Sequence, residues 1–146
     1  LMQKAIDVNP NHPRSLQMFS MSLMRQGKYD EAIDCVKQAI EIDPVGRMEW
    51  EGWLIFCYIG KKDLDNALNS INRTIQDAPH NRLFGFKAAV LALMGEIEES
   101  KIWLKKYVVE RPEVKTLGDY RKVAPEMSET LTNNLLEGLK LAGLPE

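Results

Sequence analysis

The chain has few of the residues that carry most protein chemistry. Its 146 residues include two cysteines, Cys35 and Cys57, and two histidines, His12 and His80. The cysteines form no C-x-x-C pair and no histidine stands at ligand spacing from them, so a zinc site is not expected. Both sit in apolar helical patterns and read as free thiols, which suits a reducing, cytoplasmic compartment. Charge of one sign is also lacking: 19 basic residues face 21 acidic ones, for a net charge of -2. That balance gives no electrostatic reason to bind nucleic acid or an anionic membrane. No apolar run approaches the roughly 18 residues of a membrane span. The first residues lack the charged-then-apolar order of a secretion signal. No glycine-rich phosphate loop and no nucleophile–base pattern appears, so the chain reads as a non-enzyme without cofactor or metal.

What is present is a repeat. Prolines stand at 10, 44, 79 and 112, at intervals of 34, 35 and 33 residues, each closing a similar segment such as Gln38–Pro44 or Arg73–Pro79. Proline cannot continue a helix and biases the preceding residue out of helical geometry, so this period punctuates a helical array. Between prolines the apolar residues recur three or four apart in two segments each time: 13–26 and 30–42, 47–60 and 64–77, 81–94 and 98–110. Each segment therefore predicts a helix with one buried face. The breaks within pairs fall at Gly27, at Gly60–Asp63 and at Gly95, where glycine ends a helix at little cost. Asp30 and Asp63 are expected to cap the helices that follow.

The turn Arg25–Ala32 and the steps of nine residues from Leu23 to Ala32, Tyr58 to Ala67 and Leu91 to Ser100 resemble the tetratricopeptide repeat. Leu16, Phe19, Ser20, Val36, Ala39 and Pro44 extend the likeness in the first full repeat. The resemblance implies an all-α superhelix of stacked antiparallel helix pairs over residues 1–112. It comprises the end of one repeat at 1–12 and repeats at 13–46, 47–80 and 81–112. Three residues depart from the pattern. Glu51 replaces an aromatic, Ile55 replaces a small residue and Lys87 takes an apolar place. The second and third pairs are therefore expected to be splayed, and Lys87 to reach water along its stem.

Residues 113–146 leave the pattern. A short helix is expected over Val114–Leu117, and a capping helix starts at Ser128, carries Leu131, Leu135, Leu136 and Leu139 on one face and ends at Gly143. The tail Leu136–Glu146 is similar to the C-terminal ends of repeat regions on bacterial class III adenylate cyclases and on some winged-helix transcription regulators. It implies the regulatory C-terminus of a larger bacterial signalling protein; a free-standing repeat scaffold or adaptor is the alternative reading. Leu1–Ile6 reads as a helix already under way, as expected of a piece of a longer chain.

The resemblance further implies that the first helix of each pair lines a concave protein-binding groove. Its positions correspond to Arg14, Gln17, Met21, Met24 and Arg25, then Glu49, Gly52, Phe56 and Ile59, then Arg82, Gly85, Ala89, Ala92 and Leu93. The lysine and asparagine with which some members clamp a peptide carboxylate are replaced by Gln17 and Met21. An amphipathic helix or extended apolar segment suits such a groove. Three occupants stay open at this point: a separate protein or peptide, the chain's own C-terminal helix, or a second copy in a homodimer. His12 and His80 read as turn residues, Glu96, Glu98 and Glu99 as a helix start, and Met18 as core.

Overall fold

The computed structural model describes residues 12–146. The expected repeat end at 1–12, including Pro10, lies almost wholly outside them. Eight helices and no strand occur among the described residues: α1 (Pro13–Arg25), α2 (Tyr29–Ile42), α3 (Arg47–Lys61), α4 (Leu64–Asp77), α5 (Asn81–Leu93), α6 (Ile97–Glu110), α7 (Leu117–Val123) and α8 (Glu129–Ala142). The first six form three hairpins, α1/α2, α3/α4 and α5/α6. They stack through α2 on α3 and α4 on α5 into an all-α solenoid.

One hydrogen-bond motif makes the three hairpins alike. The amides of Lys28, Asp63 and Glu96 donate to the carbonyls of Leu23, Tyr58 and Leu91, each at 2.9 Å. This is the bond that closes a helix onto a left-handed residue. Those acceptors begin the nine-residue steps of the sequence, and the steps end on Ala32, Ala67 and Ser100, all fully buried. The left-handed residue is Gly27 in the first turn and Gly95 in the third, but Lys62, at φ 60°, in the second. Gly60 does not end its helix as the sequence suggested. It lies inside α3, where an added β-carbon would meet the Tyr29 ring at 2.6 Å from Cζ. The absent side chain lets α2 and α3 approach.

Helix starts follow from local chemistry. Pro13 opens α1, where an amide hydrogen has no helical partner to lose. Asp63 accepts from the Asn66 amide to cap α4, and Ser128 caps α8 by accepting from Leu131. Asp30 does not cap α2. That helix starts one residue earlier, and Asp30 pairs with Lys61 on the next hairpin. The predicted short helix at Val114–Leu117 is displaced to α7, because Thr116 and Asp119 form a reciprocal capping box. His80 caps α5, its Nδ1 accepting from the Arg82 amide at 3.2 Å.

Packing differs from expectation at three places. Met18 is exposed and Met24 is fully buried, since α1 turns Leu16, Ser20, Leu23 and Met24 inward. The third pair is not splayed. Gly85 lies under Tyr107, where an added β-carbon would sit 3.2 Å from the ring, so α5 and α6 pack closely. The Lys87 ammonium ends 4.1 Å above the Trp103 ring rather than free in water. Burial there holds its pKa below the ordinary lysine value, against an opposing pull from Glu99. Glu51 turns inward and keeps its carboxylate beside Arg47 at 3.4 Å and Arg73 at 3.3 Å.

A candidate partner-binding face and its resident helix

The candidate groove residues belong to the first helices of the pairs, α1, α3 and α5. In place of a fourth repeat, the chain turns back after α7 and lays α8 against α5 and α3, with lesser contact to α6 and α7. A helix added to the end of the stack would meet α6 most; α8 instead crosses the first-helix face.

Three contacts fix α8 there. At its start, the Ser128 hydroxyl lies 2.7 Å from the Tyr29 hydroxyl, on the first hairpin. In its middle, the buried Asn134 amide donates to the carbonyls of Ile59 at 2.9 Å and Gly60 at 3.1 Å. These carbonyls belong to the last turn of α3, where helical donors run out; that of Ile59 also accepts from the Lys62 amide at 3.1 Å. One turn later, Gly138 meets the α5 backbone. A β-carbon at Gly138 would stand 2.8 Å from Ala89 C and Cα and overlap its carbonyl oxygen. Leu131, Leu135 and Leu139 are fully buried along the same face, and each contributes about 2 kcal/mol by leaving water. Lys62 and Glu137 pair at 3.0 Å on the exposed edge. Both remain half solvated, so that pair adds little.

The candidate residues divide along the face. Ile59, Ala89, Ala92 and Met24 are 0–2% exposed, and α8 binds directly over Ile59 and Ala89. Phe56 is half-buried and joins an aromatic cluster, edge-on to Trp53 at 5.9 Å and to Phe86 of α5 at 5.7 Å. Gly85 faces α6 rather than the groove, and Leu93 is half-buried. Gln17 and Glu49 come together at 3.3 Å and link α1 to α3. Arg14, Arg25, Glu49 and Arg82 are exposed, Met21 is half-buried, and Gly52 has open space where a side chain would go. The end of the face nearest α1 is thus the accessible one, and the end nearest α5 holds α8.

Tyr29, Ser128, Asn134 and Gly138 were not singled out from the sequence as site residues. A signal existed. Asn134 and Gly138, four apart, share a stripe with otherwise leucine-rich positions. A buried amide and a missing side chain there mark a close helix–backbone contact. Cys57 is buried and its thiol is pushed up to about 12 by desolvation; Cys35, half-buried, is also raised by burial and by Asp34. Among the described residues, no cluster of three or more His, Cys, Asp or Glu could hold a metal ion. No described helix is long and apolar enough to cross a membrane.

Comparison with known proteins bears on the first hairpin through a family match and on most of the chain through a more distant likeness. The chain is 27% identical over 137 residues to anaphase-promoting complex subunit 7 of Homo sapiens, and equally to that of Mus musculus. The alignment covers 88% of this chain but only 22% of either relative. Residues 13–44, which span α1 and α2, match the tetratricopeptide repeat.

Proposed function

We propose that this chain is a non-catalytic protein-docking module, a scaffold segment of a larger protein or assembly. The observation that carries this reading is the seat of α8: the first-helix face already accommodates an amphipathic helix through an apolar stripe, a backbone-capping amide and a close glycine contact. A face that binds one helix in cis has the chemistry to bind another in trans. The repeat match and the likeness to a subunit named for its complex support the same class. The partner meets the accessible end, around Arg14, Gln17, Met21 and Glu49. A cytoplasmic location rests on the two free thiols. The bacterial cyclase reading rests on Leu136–Glu146 alone, and the aligned human and mouse relatives favour a scaffold instead.

The test is affinity capture from a lysate of the source organism. The baits are the chain, an Arg14→Glu/Glu49→Arg variant and Gly138→Ala, each checked for helicity. A protein retained by the chain and lost with the double variant supports docking at the accessible end. One captured only by Gly138→Ala places the partner under α8. If no bait retains anything above background, the docking reading is wrong.

A further inference from the structure

The outer side of α6 carries a second surface, away from the face that holds α8. Between α6, the loop before α7 and the end of α8 lies an open groove of about 720 Å³. Its floor is apolar, with Leu104, Val108, Val114 and Leu144. Three lysines, Lys101, Lys105 and Lys115, reach into it, and no carboxylate lines it. Lys105 and Lys115 make no ion pair among the described residues, and the Lys101 pair with Glu98 is solvent-exposed and weak. On the other side of Lys105 the same helix leaves Ile102 57% and Val109 70% exposed. These flank a smaller apolar groove that Lys106 also borders. Residues 101–115 hold five basic side chains against two acidic ones, in a chain whose net charge is -2. Positive charge is therefore concentrated around an apolar slot rather than spread over the surface.

We infer that this groove docks an acidic amphipathic helical segment of a partner protein, with its apolar side chains against Leu104 and Val108 and its carboxylates on Lys105 and Lys115. Apolar floor and cationic rim select together: an apolar peptide without acid leaves the lysines unused, and a basic one is repelled. This proposal does not depend on the first-helix face. Its site shares none of the candidate groove residues, so either surface can fail without the other.

The probe is a labelled synthetic peptide of about 14 residues with leucines on one face and glutamates flanking them, long enough for helix to form once bound. A second peptide carries lysine for each glutamate. Fluorescence anisotropy measures both against the intact chain. The acidic peptide should bind, weaken about tenfold or more with Lys105→Glu/Lys115→Glu, and weaken further with salt. Both lysines are exposed, so the variant should fold; unchanged helicity and unchanged thermal unfolding would show that it does. Val108→Glu gives a second lesion on the floor and should reduce binding without touching either lysine. Equal binding of the two peptides, no binding of the acidic one, or binding indifferent to these substitutions overturns the proposal. So does sedimentation showing self-association that the lysine variant abolishes, since a second copy would then be the occupant.

Discussion

Replacing Gly138 with alanine tests the seat of α8 at its tightest point. In an ordinary helix interior the change stabilises by about 1 kcal/mol, because alanine loses less backbone freedom. Here the new methyl meets the α5 backbone at Ala89, which cannot rotate away as a side chain would. Overpacking of this kind costs about 1–3 kcal/mol. Relief requires α8 to lift from α5, and lifting stretches the Asn134 bonds to Ile59 and Gly60. A buried amide left without partners costs about 1–3 kcal/mol more. The net expectation is a loss of about 2–3 kcal/mol, read by urea unfolding with circular dichroism, and a midpoint lower by roughly 6–10 °C. Gly52→Ala is the internal control. Gly52 also lies within a helix but has nothing within 4 Å of an added β-carbon, so it should stabilise by about 0.5–1 kcal/mol. Asn134→Ala should be costly alone and add less than its full effect to Gly138→Ala. If Gly138→Ala is as stable as the parent chain, the close approach of α8 to α5 is not real.

Other sites give independent checks. Arg73→Ala leaves the nearly buried Glu51 with Arg47 alone; a loss of about 1–2 kcal/mol is expected, reduced because both arginines are half exposed. A thermal-shift measurement decides it, and a neutral result would mean that water solvates Glu51. Lys62→Gly removes a left-handed lysine, a gain of about 1 kcal/mol partly offset by glycine's entropy and the lost Glu137 contact. Denaturant titration should find the variant within about 0.5 kcal/mol of the parent or more stable, and a larger loss would contradict the strain argument. For thiol chemistry, a Cys57 value raised to about 12 leaves roughly one thiolate in ten thousand at pH 8, rising about tenfold per pH unit. Maleimide labelling followed by mass spectrometry should modify Cys35 first and Cys57 only when the chain opens; equal native rates would refute this.

The hairpins were legible in the sequence because one physical requirement recurs at fixed spacing. Leu23, Tyr58 and Leu91 each accept the bond that closes a turn, and the buried small residue nine positions on receives the next helix. Their spacing survives even where glycine does not, as Lys62 demonstrates. Gly60 was misread because a glycine near a helix end and a glycine under a ring look alike in sequence; only the partner Tyr29 separates them. Met18, read as core, is exposed because the inward face of α1 is set by Leu16, Ser20, Leu23 and Met24. The tail was recognisable as a leucine-faced helix capped by Ser128 and Gly143. Its seat on the first-helix face was one of three readings left open, because amphipathicity says that a face is buried and not what buries it. Lys87 was expected to find water because its aromatic partner, Trp103, lies 16 positions away in sequence and on the following helix.

The hydrogen bond between Tyr29 and Ser128 joins residues 99 positions apart. A repeat array without such a bond behaves as a row of neighbours, each unfolding with a free energy set by the next, so that its ends fray first. Here α8 touches the first hairpin through Tyr29, the second through Asn134 and the third through Gly138. The row becomes a circuit. Loss of any hairpin strips α8 of an anchor, and loss of α8 loosens all three. The array is therefore expected to open as one cooperative unit, to fold more slowly than its local helical contacts alone would allow, and to respond as a whole to anything that grips or releases its last helix.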